Sequence, residues 1–289
     1  MIEVAMNVPD IESGRETARL SVHALTKVYA TERGEPATVL HRVSFDVFPG
    51  EFVAIVGPSG AGKTTLLRTL AGLLPPTSGE VRFDGQPVDA PPEKLALVFQ
   101  DYSRSLMPWL TVEKNVTLPL RRRKLKAADE CRIAREALEA VGLSGIGSQF
   151  PWQLSGGMQQ RVAIARAIAY QPEALLMDEP FASVDAQTRS DLEDLILRVR
   201  KTYGMTIVVV THDIDEAVYM SDRVVVLGGT PTTVREVVDV PLGAERDQFV
   251  TKSQPEYIHL RNRVLTAVRR PSDAASSDPE PGSTAITKD

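Results

Sequence analysis

The sequence is poor in the features that mark secreted, membrane-spanning or DNA-coating proteins. Its single cysteine, Cys131, excludes an internal disulfide framework and a zinc site built from several cysteines. No apolar run approaches the roughly 18 to 20 residues that a membrane helix needs, and Ile207 to Val210 has only the length of a strand. Lys and Arg total 33 against 38 Asp and Glu, and this net charge of −5 argues against general binding to nucleic acid.

What is present is typical of a globular protein. Of the 289 residues, 43% are hydrophobic and 25% are charged, which is enough to build a sizeable core. The first residues lack the basic and apolar regions of a secretory signal, so we expect the protein in the cytoplasm. Residues 1–18 show no periodicity, and residues 271–289 are mostly small, acidic or proline, so both are predicted to be disordered tails.

Short apolar segments alternate with helical patterns along the rest of the chain. The segments without internal alternation resemble strands that are buried on both faces. They are Phe52–Val56, Leu95–Phe99, Leu175–Met177, Thr206–Val210 and Arg223–Leu227. Helices are predicted from Lys63 to Gly72, Met158 to Tyr170 and Ala186 to Tyr203, and a further helical pattern covers 129–141. The alternation predicts an α/β fold, with about 100–165 as a helical insertion.

A complete phosphate-binding loop follows the first of these strands. The pattern G-x-x-x-x-G-K-[ST] is met between a strand and a helix, which is the context that this motif requires. Its backbone N–H groups can surround a phosphate at a helix N-terminus, while a lysine faces the β/γ oxygens and a hydroxyl suits Mg²⁺. The predicted nucleotide-binding residues are Gly57, Pro58, Ser59, Gly60, Ala61, Gly62, Lys63, Thr64 and Thr65.

Two further patterns complement the loop. Asp178 and Glu179 end an apolar strand, at the edge where such sheets bind ligands. Asp178 is therefore predicted to hold the metal and Glu179 to act as general base on an attacking water. Ser155, Gly156 and Gly157 open a helix, which predicts a second anion site in the same chain.

With these motifs in this order, residues of about 20–230 resemble the ATP-binding-cassette (ABC) transporter ATPases. The resemblance implies a P-loop cassette with a mostly parallel sheet, a small antiparallel β region on the N-terminal side and a helical insertion. It implies ATP and Mg²⁺ as cofactors, with Thr64, Gln100 and Asp178 at the metal. It also assigns roles to Tyr29 at adenine, Ser155–Gly157 in the signature, Asp185 across the dimer and His212 as γ-phosphate switch and second catalytic residue.

The chain is most similar to the nitrate/sulfonate/taurine type of importer ATPase, through segments such as Pro108–Val112 and Met177–Phe181. This implies a head-to-tail homodimer on the inner face of the membrane, bound to permease subunits and served indirectly by a solute-binding protein. The domain is then 19–230, with 231–270 as a short extension. Two departures from the family are Met158 at the fifth position of the signature, where Gln is more frequent, and Ala182-Ser183-Val184-Asp185, where the family commonly reads Ser-Ala-Leu-Asp.

Alternatives stay open at this stage. A cassette ATPase of lipid trafficking or of an exporter is one, and a cassette acting on nucleic acid or ribosomes is another, although no second cassette or coiled-coil arm is present. The basic cluster Arg121–Lys126 is either a solvated face or a contact with anionic lipid. The transported solute is not specified by the sequence.

The segment Asp101–Thr111 is the predicted contact with the membrane partner. It follows Gln100 and is rich in apolar side chains that we expect to be exposed, as interface residues are. These are Tyr102, Leu106, Met107 and Trp109. The opposing interpretation is a local cluster that packs the insertion onto the core.

Overall fold

The computed structural model describes residues 17–30, 34–101, 105–182 and 184–270. The predictions for Tyr102, for Ser183 and for both tails beyond residues 17–270 lie outside these ranges. Within them, the strands are β1 (Leu20–Ala30), β2 (Pro36–Val47), β3 (Phe52–Val56), β4 (Ser78–Phe83), β5 (Gln86–Pro87), β6 (Leu95–Val98), β7 (Ala174–Asp178), β8 (Thr206–Val210), β9 (Arg223–Gly228) and β10 (Thr233–Asp239).

The strands form two sheets. The larger has the order β10-β9-β3-β8-β7-β6, in which β9, β3, β8, β7 and β6 are parallel and β10 is antiparallel to β9. The smaller is antiparallel with the order β2-β1-β4-β5. Strand β3 lies in the middle of the larger sheet, so the loop that follows it emerges at the centre of that sheet's carboxyl edge.

The helices follow the strands in the manner of parallel α/β proteins. They are α1 (Lys63–Leu70), α2 (Val112–Thr117), α3 (Ala127–Ala140), α4 (Gly156–Ala169), α5 (Ala186–Tyr203), α6 (Ile214–Met220), α7 (Val250–Ser253) and α8 (Pro255–Arg269). Short 3-10 turns span Leu118–Arg123 and Pro151–Gln153. Helix α4 begins two residues before the predicted start, because Ser155 caps it by accepting a hydrogen bond from the Met158 N–H.

Two hydrophobic cores cover the two faces of the larger sheet. Along β3, Phe52, Ala54 and Val56 face the core that includes α2 to α6 and α8. Val53 and Ile55 face the core formed with α1 and the antiparallel sheet. Because successive side chains of a strand point to opposite faces, an uninterrupted apolar strand is what this three-layer arrangement requires.

Residues 231–270 are integrated into the domain. Strand β10 pairs with β9, and α8 packs its buried residues Tyr257, Leu260 and Val264 into the helix-side core. Among the described residues, no helix is both long and apolar enough to cross a membrane.

Candidate functional site

The phosphate-binding loop connects β3 to α1 and is held by close backbone packing. Gly60 and Gly62 have φ values of 81° and 73°, in the left-handed region that glycine tolerates best. A Cβ on Gly57 would lie 2.9 Å from the Leu227 carbonyl oxygen, so this position is too close to β9 for a side chain. The loop therefore surrounds the N-terminus of α1 mainly with backbone groups rather than with side chains.

Lys63 lies folded into this loop. Its Nζ donates to the carbonyl oxygens of Gly57 at 2.9 Å and Pro58 at 3.1 Å, and the residue is 7% exposed. Burial lowers the pKa of the Lys63 ammonium, while Glu179 and Asp178 act in the opposite direction. A cation in such a poorly solvated position interacts more strongly with a phosphate than it would in water.

Asp178 and Thr64 meet at the carboxyl end of β7. The Thr64 hydroxyl donates to Asp178 Oδ1 at 3.4 Å, and burial raises the pKa of the Asp178 carboxyl despite this bond. No cluster of three or more His, Cys, Asp or Glu side chains suited to a metal occurs in the described part of the chain. One carboxylate and one hydroxyl fit Mg²⁺, which commonly takes few protein oxygens and completes its shell with water and substrate phosphates.

Glu179 contacts two of the other predicted residues. Its Oε2 accepts from Gln100 Nε2 at 3.2 Å and lies 3.1 Å from His212 Nδ1. Glu179 also has φ of 41°, which is strained for a residue with a side chain. The structure thus joins three side chains that are separated by more than 30 residues in sequence and come from the ends of β6, β7 and β8.

Tyr29 lies beside the same loop. Its hydroxyl is 3.5 Å from Thr65 Oγ1, and its side chain is partly exposed. Lys27 Nζ lies 5.3 Å from the ring centroid, over one face of the ring. The antiparallel sheet therefore brings an aromatic ring to the start of α1, in reach of a nucleotide held there.

The signature residues form a separate group. Ser155 caps α4, and a Cβ on Gly157 would lie 2.6 Å from Thr188 Cγ2, next to the turn that Asp185 caps. In the part of the chain that the structure describes, the hydrogen bonds of Ser155 and of Lys63 do not join the signature to the phosphate loop. The signature is packed instead against the start of α5.

A polar cluster around His212 was not predicted from the sequence. The Thr211 hydroxyl donates to Glu216 Oε2 at 2.6 Å, and Asp213 Oδ1 accepts from the N–H groups of Asp215 and Glu216. Glu216 is 4% exposed. The sequence does contain a signal for part of this cluster. The Asp213-x-x-Glu216 spacing is typical of a helix N-terminus with an acid at its third position.

Glu216 should make stability depend on pH. Burial raises the pKa of its carboxyl to about 7, with Asp213 and Glu193 acting in the same direction and Thr211 and Arg189 against it. Since the folded pKa exceeds the unfolded one, folding favours the protonated form. The stabilising contribution of protonated Glu216 is complete below about pH 4.5 and is lost as the pH rises through about 7.

We expect Glu216→Gln to flatten this pH dependence. The full shift corresponds to at most about 3 kcal/mol of unfolding free energy. Urea titrations at about pH 5 and about pH 8 measure the difference for each protein. Glu136→Gln, at an exposed ion pair on α3, serves as control and should keep the wild-type slope. Equal slopes for wild type and Glu216→Gln would contradict the assignment.

The segment after Gln100 is exposed only in part. Trp109 is 71% exposed, as predicted, but Leu106 is 2% exposed and packs in the helix-side core, so its predicted exposure is wrong. Arg166 of α4 donates to the carbonyl and hydroxyl oxygens of Ser105, which ties this segment to the signature helix. Packing onto the core therefore holds for Leu106, while the contact with a membrane partner stays a prediction for the exposed Trp109.

Comparison with known proteins identifies relatives over most of the chain. A nitrate import ATP-binding protein of Synechococcus elongatus is 38% identical over 266 residues, covering 91% of this chain and 96% of that protein. A bicarbonate transport ATP-binding protein of a Synechocystis species is 39% identical, covering 87% and 89%. A taurine import ATP-binding protein of Chromobacterium violaceum is 42% identical, covering 81% and 91%.

Structural and family comparisons agree. The dimeric structure of a post-hydrolysis state of an ATP-binding cassette, bound to ADP and Pi, matches with a TM-score of 0.68 at 34% identity, covering 76% of this chain and 98% of that one. The family model described as ABC transporter matches residues 40–182. The family and the fold class predicted from the sequence are thereby confirmed. The chain belongs to the ABC transporter ATP-binding proteins and is an ATPase of that family.

Proposed function

We propose that this chain is the ATP-hydrolysing subunit of an importer for small anions, such as nitrate, bicarbonate or a sulfonate. The observation that carries the ATP-hydrolysing part of the proposal is the contact of Glu179 Oε2 with both Gln100 and His212, beside Lys63, Thr64 and Asp178. The relatives named for nitrate, bicarbonate and taurine transport support the class of cargo. An ATPase subunit of this kind does not contact its cargo, so these residues do not distinguish among the anions.

Each residue around the phosphate loop has a separate task. Residues 57–65 bind the phosphates of ATP through backbone N–H groups and through Lys63, and Tyr29 stacks on the adenine. Thr64, Asp178 and Gln100 would hold Mg²⁺, which supplies positive charge at the β/γ oxygens when bound. Glu179 accepts a proton from the attacking water, and His212 contacts the γ-phosphate.

The two parts of the site imply a second copy of the chain. One chain carries one phosphate loop and one signature, so Ser155, Gly156 and Gly157 serve the ATP held by the partner, as Asp185 does from its neighbouring turn. Two copies arranged head to tail each complete the other's site. The dimeric cassette bound to ADP and Pi supports this arrangement. Closure on ATP and reopening after hydrolysis then move the membrane subunits.

The permease contact is proposed at the exposed part of residues 105–111, on the inner face of the membrane. Trp109→Ala should uncouple transport while sparing the ATPase rate of the isolated subunit. Phe249→Ala is the control, because Phe249 is also a highly exposed aromatic residue but lies in the C-terminal segment. Uptake and ATPase rates in vesicles that contain the assembled transporter measure the effect. Loss of the ATPase rate or of the fold would favour a packing role for Trp109.

Isolation of the native complex tests the whole proposal. We expect the chain to co-purify with small multispanning proteins, and the complex in vesicles to take up nitrate, bicarbonate or taurine with ATP on the cytoplasmic side. A Glu179→Gln complex provides the inactive control. Recovery with RNA or ribosomes, without membrane proteins, would support the alternative of a nucleic-acid-associated cassette.

A further inference from the structure

The residues on both sides of His212 are fixed by hydrogen bonds. The Thr211 hydroxyl donates to Glu216 Oε2 at 2.6 Å and accepts from the Asp213 N–H at 3.0 Å. Asp213 Oδ1 accepts from the N–H groups of Asp215 at 2.8 Å and Glu216 at 3.2 Å. The position of His212 therefore depends on where Asp213 and Glu216 are held.

Arg189 lies beside both of these carboxyl groups. Its Nη1 donates to Asp213 Oδ2, the oxygen that does not cap α6, at 3.0 Å, while its Nε is 3.5 Å from Glu216 Oε1, an ion-pair distance without a hydrogen bond. The Glu216 side chain is only 5% exposed, so an opposite charge beside it is weakly screened by solvent. One guanidinium thus connects α5 to both residues that fix the His212 segment.

The other end of this connection lies at the signature. Arg189 follows Asp185 by four residues, one turn along α5, and the Asp185 carboxylate binds the Thr188 N–H at 3.0 Å and the Thr188 hydroxyl at 2.7 Å. Thr188 Cγ2 packs against Gly157, where no side chain would fit. Arg189 therefore lies one turn after Asp185, between the signature and the residues that support His212.

We propose that Arg189 is a positioning residue for ATP hydrolysis, which sets the location of His212 relative to Glu179 and relays movement of the Asp185 turn to it. This rests on the proposed roles of His212 and Glu179. In a head-to-tail dimer, Asp185 and the signature serve one ATP and His212 serves the other. Arg189 is then a physical link within one chain between the two sites.

Steady-state kinetics of the full-length chain test this link. We expect Arg189→Gln to lower kcat about 10- to 100-fold, since a displacement of about 1 Å at a reacting group can cost 10²-fold. The dissociation constant for ATP should change little, because Lys63 and the loop remain in place. Since Arg189 acts through His212, adding Arg189→Gln to His212→Ala should produce no further loss.

Two further variants separate positioning from folding. Arg261→Gln is the matched control: Arg261 Nε contacts Asp215 Oδ1 at 2.7 Å, next to Glu216 on helix α6, but pairs with the Asp215 carboxylate rather than with that of Asp213 or Glu216, so kcat should stay near wild type. Asp213→Asn keeps a good N-cap but removes the charge that binds Arg189, so it should reproduce the kcat loss even if Arg189→Gln folds poorly.

The outcomes are distinct. Multiplicative losses in the double variant, or an equal loss in Arg261→Gln, would overturn the positioning role in favour of general stabilisation of α6. Wild-type turnover in Asp213→Asn would overturn it as well. Wild-type turnover in His212→Ala would instead refute the proposed role of His212, which the single variants distinguish from a failure of the Arg189 link.

Discussion

Glu179→Gln should leave ATP binding intact and reduce turnover by about 10²- to 10⁴-fold, the usual cost of removing a general base. The glutamine amide is nearly isosteric and keeps an oxygen that can accept from Gln100 or His212, so the local geometry should persist. Asp178 and Thr64 are unchanged, which preserves the proposed metal ligands. The trapped, ATP-bound protein should accumulate as a dimer, measurable as an ATP-dependent shift on a sizing column.

A control variant lies at the other end of the same strand. Glu173 precedes β7 and pairs with Arg19 and Lys94, so Glu173→Gln should lower stability without lowering kcat. Glu179→Asp tests position instead, because it retains the charge but withdraws it by one methylene from the two contacts. Turnover of Glu179→Gln above about a tenth of wild type would remove Glu179 from the catalytic role.

The sequence was sufficient to predict the parallel strands of the larger sheet and the phosphate loop, because both follow from local patterns, but it did not predict β10. Strands β3 and β8 have the predicted bounds, since an apolar run without alternation has few options other than a strand buried on both faces. The G-x-x-x-x-G-K-[ST] pattern places its lysine and threonine without reference to the rest of the chain. Asp178 and Glu179 were predicted as site residues because they end such a strand.

The other features depend on tertiary contacts, which local sequence patterns do not specify. Leu106 lies in a segment that resembles an interface by composition, yet the helical region buries it, and no local pattern distinguishes it from Trp109. Glu179 has a left-handed backbone conformation, and its N–H donates to the carbonyl of Val210 on the neighbouring strand β8. This contact exists only once β7 and β8 are paired. Arg189 meets Asp213 across 24 residues, and that pairing exists only once α5 and α6 are side by side.

We expect the second large effect at Lys63. Its loss should lower the affinity for ATP, whereas the loss of Glu179 lowers turnover. The Lys63 ammonium donates to Gly57 and Pro58 of the loop and is close enough to Asp178 and Glu179 for both to influence its pKa. An incoming triphosphate brings several negative charges to a site that already holds two carboxylates. We expect Lys63 to offset this repulsion, so its loss should weaken binding itself rather than the chemical step.

We therefore expect Lys63→Ala to weaken ATP affinity about 10- to 100-fold, the range for losing one hydrogen bond to a charged group. Calorimetric titration with ATP measures this directly, and turnover should recover in part at saturating ATP. Lys201→Ala is the control, because it removes an exposed positive charge that pairs with Glu245 near the end of α5, and should keep wild-type affinity. Lys63→Arg should be intermediate, since it keeps the charge but must fit a larger planar group into a buried position. Unchanged ATP affinity in Lys63→Ala would contradict the assignment of residues 57–65 as the phosphate site, whatever the turnover of Glu179→Gln.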